Sequence, residues 1–187
     1  VVDMPMENLA GQKPLKKGDP LHIKLENISL HHQGRPQPTL KNINLEIRPK
    51  ERICITGHNG SGKTSLLYLI SGLTSPNMGQ IYINGVALQQ INLNHYRSHL
   101  GFSLTGSSPF EGTIKENITF NNTEISDEDL EWAIEKTRLS DFIKSLPNGL
   151  DTVINPEGRQ LSYTISKKII LARAVVHKPS MLILKDP

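Results

Sequence analysis

A short glycine-rich string constrains this chain more than any other feature of its sequence. Residues 57–64 read Gly-His-Asn-Gly-Ser-Gly-Lys-Thr and match the pattern G-x-x-x-x-G-K-[ST] at every position. Glycines let the backbone curl until successive N–H groups point at one anion, and a helix that follows adds its positive N-terminal end. The string therefore predicts a loop that holds the phosphates of a nucleotide.

The residues on either side of the string fit this interpretation. Residues 52–56 are predicted to form a short strand before the loop, and residues 65–73 an apolar helix after it, which is the order that the motif requires. The Lys63 ammonium is expected to reach the β- and γ-phosphates, and the Thr64 hydroxyl is the expected Mg²⁺ ligand. A glycine-rich turn with an incidental lysine is the alternative. The candidate nucleotide-binding residues of the loop are Gly57, His58, Asn59, Gly60, Ser61, Gly62, Lys63, Thr64 and Ser65.

Hydrophobic periodicity predicts strands in both halves of the chain. Alternation of apolar and polar residues indicates strands at 22–30, with an irregularity at Asn27, at 40–48 and at 80–84. Residues 33–38, which contain Gly and Pro, are predicted to turn. Near the C-terminus, residues 181–184 form a compact apolar run that is typical of a buried parallel strand.

From about residue 124 the apolar period becomes that of helices. Ser126, with Asp129 three residues later, resembles a capping box that begins the first of these helices. Two further helices are predicted, at residues 139–146 and 166–177. Strands at both ends with helices between them indicate an α/β architecture with a helical insert.

Charge and composition exclude several classes of protein. The 21 Lys and Arg residues against 18 Asp and Glu give a net charge of +3, which is too weak to predict a nucleic acid or a membrane surface as partner. Cys54, the single cysteine, cannot form an intramolecular disulfide and is predicted to be a small core residue. No apolar run approaches the roughly 18 residues of a membrane span. Residues 1–20, rich in Pro, Gly and Lys, are predicted to be a linker.

Several longer strings, together with the glycine-rich loop, resemble the nucleotide-binding domain of ATP-binding cassette (ABC) transporters of the exporter type. The resemblance covers residues 22–187 and is carried by residues 39–43, 71–73, 110–118, 146–152 and 171–174. It implies an α/β P-loop NTPase fold with an ABC ATPase-like core: a mixed sheet, a β-rich N-terminal part and a helical insert. The implied cassette domain covers residues 21–187, with the helical subdomain at about 105–165.

The same resemblance implies cofactors, partners and a location. ATP and Mg²⁺ are the implied cofactors. The implied partners are a second nucleotide-binding domain, in a homodimer or a heterodimer, and a transmembrane domain in the same full-length chain, with no nucleic acid. The implied location is the cytoplasmic face of the cell membrane. Members of the family continue after their last motif with a further strand, a dimer-contacting loop and a histidine, so the resemblance also predicts that this domain is incomplete at its C-terminus.

Five places depart from the family pattern. His32 occupies the position of the aromatic residue that stacks on adenine, although it fits a polar residue of an edge strand equally well. Thr105 replaces the glutamine that contacts Mg²⁺ and the γ-phosphate. Residues 161–165 read Leu-Ser-Tyr-Thr-Ile in place of Leu-Ser-Gly-Gly-Gln. Lys185 and Asp186 replace the two acids that follow the last strand, of which the second polarises the attacking water.

These replacements weaken the machinery of hydrolysis more than that of binding. Tyr163 and Thr164 add side chains where the family requires close backbone approach to a phosphate. An ammonium at Lys185, about 4 Å from a divalent ion, would be repelled by several kcal/mol at an effective dielectric near 20. The Mg²⁺ dependence of binding is therefore expected to be small.

Three hypotheses are compatible with an intact loop beside altered catalytic positions. The leading one is a domain that binds ATP, couples nucleotide binding to transport and hydrolyses ATP weakly or not at all. The second is a slow ATPase that uses Asp186 as catalytic base. The third is a regulatory scaffold in which nucleotide binding is vestigial.

Overall fold

The computed structural model describes residues 15, 18–32, 34, 37–103 and 106–185 of the 187-residue chain. The chain forms two compact units that divide between His99 and Leu100. Most of the predicted linker at 1–20 lies outside the described residues, as do Thr105, Asp186 and part of the predicted turn at 33–38. Within the described part, no helix has the length and apolar character needed to cross a membrane.

The first unit is built on a four-stranded antiparallel sheet with the strand order β2-β1-β3-β4. Its elements are β1 (Ile23–Leu30), β2 (Leu40–Ile47), α1 (Lys63–Ile70), β3 (Met78–Ile83), β4 (Val86–Ala87) and α2 (Leu93–Ser98). The β-rich N-terminal part expected from the sequence is therefore present. Its strands at 22–30, 40–48 and 80–84 are confirmed to within two residues at each end.

An irregularity at Asn27 keeps the apolar side chains of β1 on one face of the sheet. Leu25 and Ile28 are three positions apart, so a regular strand would point them to opposite faces. The register of β1 against β2 shifts between these two residues, and Asn27 has φ +51°. Because the bulge adds one residue to the strand, Leu25 and Ile28 are both buried. The irregularity predicted at Asn27 is confirmed.

Tyr96 anchors α2 to the C-terminal end of α1. Its side chain is fully buried, and its hydroxyl donates a hydrogen bond of 2.6 Å to the carbonyl oxygen of Ile70. Burial raises the pKa of the Tyr96 hydroxyl above its ordinary value, so this group stays a donor at physiological pH. The helix that follows the glycine-rich loop is thus fixed at its far end by a satisfied buried polar group.

The second unit combines a short parallel sheet with most of the helices. Its elements are β5 (Leu100–Ser103), β6 (Gly112–Thr113), α3 (Ile114–Thr119), α4 (Asp127–Lys136), α5 (Ser140–Lys144), β7 (Val153–Ile154), α6 (Tyr163–Val175) and β8 (Met181–Leu184). β5 pairs in parallel with β8, and β6 pairs antiparallel with β7. Antiparallel and parallel sheets with several helices make this the mixed α/β fold that the sequence indicated.

A buried asparagine joins α3 to α6 in the second unit. Asn117 is fully buried, and its side-chain oxygen accepts hydrogen bonds from the Phe110 backbone N–H and from Arg173, each at 2.9 Å. Its amide nitrogen donates to the carbonyl oxygens of Phe110 and Thr113. Burial lowers the pKa of Arg173 to about 10, which still leaves it charged at pH 7. Two strings that carried the family resemblance, 110–118 and 171–174, therefore meet at one polar network.

Two helices of the second unit, α4 and α6, begin where a serine side chain caps them. Ser126 accepts a hydrogen bond from the Asp129 backbone N–H at 3.1 Å, which confirms the predicted start of α4. Ser162 accepts one from the Ile165 N–H, so α6 begins at Tyr163, three residues before the predicted position. Trp132 packs against the core of this unit.

Three predictions about residues 52–56 and residues 181–184 are wrong. Residues 52–56 form no strand, because no ladder pairs them with a strand in the described part of the chain. Without such neighbours their side chains face solvent: Ile53 is 40% exposed, and Cys54 is exposed instead of being a core residue. β8 is parallel as predicted, but only Ile183 of its four residues is buried.

Candidate functional site

The loop at residues 57–62 is curled by glycines that no other residue could replace at low cost. Gly57, Gly60 and Gly62 have φ values of +151°, +81° and +88°. A Cβ atom on Gly57 would lie 2.7 Å from Ser61 Oγ, and one on Gly62 would lie 2.8 Å from the carbonyl oxygen of Thr39. The pattern of glycines read from the sequence is thus imposed by backbone conformation and by close packing.

The N-terminus of α1 offers its amide groups to an anion. Gly62 is the N-cap residue and provides no side-chain cap, and the first turn contains no acidic residue. The first N–H groups of a helix have no acceptor within the helix, and the helix dipole makes this end positive. Because no carboxylate competes there, a phosphate fits this end of the helix.

The Lys63 ammonium group lies across the loop. Its Nζ donates hydrogen bonds to the carbonyl oxygens of Gly57 at 2.6 Å and His58 at 2.8 Å. The Ser61 backbone N–H also donates to the His58 carbonyl, at 3.2 Å. These bonds close the loop into a ring with a cation at its edge. An anion at this place would meet amide N–H groups and an ammonium together.

The remaining predicted site residues surround this ring. Thr64 is the second residue of α1 and half-buried, whereas His58 and Asn59 are exposed at the tip of the loop. His32, just after β1, places its Nε2 atom 3.3 Å from the Ser65 hydroxyl oxygen in the first turn of α1. The structure thus brings His32 to the first turn of α1, by a contact that the sequence did not suggest.

Two residues that contact the loop were not anticipated as part of the site. Thr39 and Leu40 pack closely against Gly62. A Cβ atom added to Gly62 would lie 2.8 Å from the Thr39 carbonyl oxygen and 2.8 Å from the Leu40 Cδ2 atom. The only signal in the sequence was the family string at residues 39–43. Because Leu40 begins β2 and Thr39 directly precedes it, the edge of the antiparallel sheet helps to fix the position of the loop.

The segment that replaces the family's paired glycines lies in the second unit. Tyr163 and Thr164 are the first two residues of α6, and Tyr163 is 68% exposed. The Lys167 Nζ lies 5.3 Å from the centre of the Tyr163 ring, within the range of a cation–π contact. The Tyr163 ring and the Lys167 ammonium therefore lie at the N-terminal end of α6, where glycines would leave the backbone accessible.

Three lysine residues lie at or near the end of β8. The backbone N–H of Lys185 donates a 2.7 Å hydrogen bond to the Ser103 carbonyl oxygen, which continues the pairing of β5 with β8 by one step. A cavity of about 310 Å³ lies between α6 and this edge of the sheet. Among the described residues that line it are Lys167, Lys168 and Lys185, and none is acidic. Thr105 and Asp186, two of the positions that depart from the family pattern, lie outside the described residues.

The donor groups of the loop fit a triphosphate, and Thr64 fits one Mg²⁺ ligand. Mg²⁺ in proteins is usually held by one or two side-chain oxygens, by substrate phosphates and by water. Within residues 18–32, 37–103 and 106–185, no group of three His, Cys, Asp or Glu residues could hold a metal by itself. Any Mg²⁺ at Thr64 would therefore depend on the phosphates, whose charge it would partly neutralise.

Comparison with known proteins agrees with this geometry. A family model described as ABC transporter matches residues 40–187. The chain is 37% identical over 175 residues to the ATP-dependent permease MDL1 of Candida albicans, covering 91% of this chain and 26% of that protein. It is 33% identical over 165 residues to ATP-binding cassette sub-family B member 5 of Homo sapiens, covering 88% of this chain and 13% of that protein.

A comparison with solved structures gives the same family. A solved structure of a bacterial Atm1-family ABC exporter with ATP bound superposes with a TM-score of 0.84 at 26% identity, over 98% of this chain and 31% of that chain. The chain belongs to the ABC transporter family and is a nucleotide-binding domain of the exporter type. It spans about a third or less of the length of these relatives. Domains of this family bind ATP, typically with Mg²⁺.

Proposed function

We propose that this domain binds ATP at the loop formed by residues 57–65 and passes the energy of binding to a transmembrane domain, with weak or no hydrolysis. The observation that carries the proposal is the ring in which the Lys63 ammonium lies over the Gly57 and His58 carbonyls, at the uncapped N-terminus of α1. A triphosphate would replace those carbonyls as the partner of Lys63, while the loop amides surround its oxygens.

The proposed weakness of hydrolysis rests on the end of β8 and the start of α6. Catalysis of phosphoryl transfer is almost entirely positioning and electrostatic stabilisation, so it requires groups of the right charge near the γ-phosphate. Lys185 follows β8 where the family has an acid, and the described lining of the adjacent cavity includes three lysines and no acidic residue. Tyr163, an exposed and bulky residue, occupies the first position of α6, where the family has a glycine.

The partners and location follow from family membership and are part of the proposal. We propose a second nucleotide-binding domain and a transmembrane domain of the same full-length chain as partners. The cassette would cover residues 21–187, with the helical subdomain at about 105–165, and would work at the cytoplasmic face of the cell membrane. The relatives named as permease, transporter or exporter support this coarse assignment, and the transported substrate is not part of it.

Steady-state ATP hydrolysis is expected to be slower than about 1 s⁻¹, below the range of ordinary enzymes. The physical reason is that Lys185 brings a cation to the position of a Mg²⁺-supporting acid. Phosphate release would be measured for the protein and for its Lys63→Ala variant, which reports contaminating activity. A rate of tens per second that disappears in Lys63→Ala would refute the proposal of weak or no hydrolysis.

ATP affinity is expected to change by less than about threefold when EDTA removes Mg²⁺. Protein contacts at the loop come from amides and from Lys63, and the described residues offer Thr64 as a metal ligand but no group of three His, Cys, Asp or Glu residues. The measurement is a titration with fluorescent ATP, with and without EDTA. Lys185→Asp is the matched variant, and it should make the affinity depend on Mg²⁺. A tenfold loss for the unmodified protein would contradict the expectation.

A further inference from the structure

His32 and Ser65 form a contact at the place where the phosphates of a bound nucleotide are expected to lie. His32 Nε2 lies 3.3 Å from Ser65 Oγ, and Ser65 is the third residue of α1. The backbone N–H groups of Lys63, Thr64 and Ser65 are the ones that a helix leaves without a helical acceptor. The Ser65 hydroxyl therefore lies beside the amides that would hold a phosphate, and the imidazole is one hydrogen bond away from it.

We infer that His32 acts on the phosphate end of the nucleotide, through the Ser65 hydroxyl. The inference rests on the proposed function, because it assumes that a triphosphate occupies the loop. It differs from the role that the family resemblance implies for this position. A side chain bonded to the first turn of α1 is held at the phosphates, from which the base is separated by the ribose.

The chemistry of a hydroxyl explains how the histidine strengthens phosphate binding. A serine hydroxyl has one hydrogen and two lone pairs. When Nε2 of His32 carries the ring hydrogen and donates it to Ser65 Oγ, the serine hydrogen is available to a phosphate oxygen. With the other tautomer the serine donates to the imidazole and presents only lone pairs to the phosphate. A bound phosphate therefore selects the Nε2–H tautomer, and phosphate, serine and histidine form one hydrogen-bonded chain.

Because His32 is exposed, its contact with Ser65 can be removed by substitution with little effect on the fold. The side chain is exposed and lies outside β1, so its replacement leaves the buried side of the sheet unchanged. His32→Phe keeps an aromatic ring that can stack on a base but removes the nitrogen that contacts Ser65. Ser65→Ala removes the hydroxyl and favours the helix. The exposed His95 of α2 offers the matched control His95→Phe.

The test is calorimetric titration of the purified protein and these variants with ATP and with inorganic tripolyphosphate, which has no base. His32→Phe is expected to weaken both ligands by the same factor, about threefold to tenfold, the value of one lost hydrogen bond. Ser65→Ala should have the same effect, the double variant should lose no more than either single variant, and His95→Phe should match the wild type.

Two other results would overturn the inference, and they differ from failure of the proposed function. If His32→Phe binds tripolyphosphate as the wild type does, whether or not ATP binding changes, His32 does not act on the phosphates. If the losses of His32→Phe and Ser65→Ala simply add, the two residues act independently and the hydrogen-bonded chain is refuted. If the wild type binds neither ATP nor tripolyphosphate at millimolar concentration, the proposed function itself fails.

Discussion

Replacing Lys63 with alanine is expected to lower ATP affinity by about 10- to 100-fold, since a hydrogen bond to a charged group contributes about 1.5–3 kcal/mol. In the structure the Lys63 ammonium already lies at the loop, bonded to the Gly57 and His58 carbonyls. A triphosphate would meet this cation without a large movement of the side chain. Equilibrium titration with fluorescent ATP measures the loss.

Two control variants show whether the loss is specific. Lys144→Ala removes an exposed lysine at the end of α5 and is expected to leave ATP affinity unchanged. Lys63→Arg keeps the charge but changes its shape, so it should fall between wild type and Lys63→Ala. Circular dichroism confirms that each variant is folded. Equal affinity of Lys63→Ala and wild type would show that the loop does not hold the triphosphate, and would favour the scaffold alternative.

The second large effect is expected at Gly101, where β5 and α6 are in direct contact. A Cβ atom at this position would lie only 2.1 Å from the carbonyl oxygen of Ala174, 2.7 Å from Leu182 Cδ2 and 2.9 Å from Pro179. Backbone atoms cannot move away as a flexible side chain does, so α6 must shift from the sheet. Gly101→Ala is expected to lower the free energy of unfolding by about 3 kcal/mol, the upper end of typical overpacking costs. Urea denaturation measures it.

Gly85→Ala is the matched control for this substitution. Gly85 has φ +78°, but an added Cβ would have no atom within 4 Å. Its replacement therefore introduces backbone strain without a clash, at a cost of about 1 kcal/mol. If Gly101→Ala proves no more destabilising than Gly85→Ala, the close approach of α6 to β5 does not occur in solution.

Much of the fold could be predicted because the apolar pattern of a strand or helix is local. β1 illustrates this best: the odd spacing between Leu25 and Ile28 required an irregularity, and the structure has one at Asn27. The start of α4 at Ser126 was also visible, because a cap is a contact between residues three positions apart. In each of these cases the interacting groups are neighbours in the sequence.

Residues 52–56 illustrate the limit of predicting strands from local sequence patterns. Their apolar character and their place before the loop favoured a buried strand with Cys54 in the core. A strand, however, exists only through hydrogen bonds to another strand, and no described strand pairs with this segment. β8 shows the same limit, because its parallel pairing was correct but two of its leucines are exposed. Burial depends on neighbours that are distant in the chain.

The sequence by itself determined the glycine-rich loop and the family, because the glycines at 57, 60 and 62 and the lysine at 63 act through the backbone of one short segment. Tertiary structure alone decided that His32 contacts Ser65, that Asn117 binds Arg173 and that Gly101 admits no side chain. These partners are 33, 56 and 73 positions apart, respectively, with Ala174 as the partner of Gly101. No local pattern encodes such pairs, since the folded chain alone brings their atoms within contact distance.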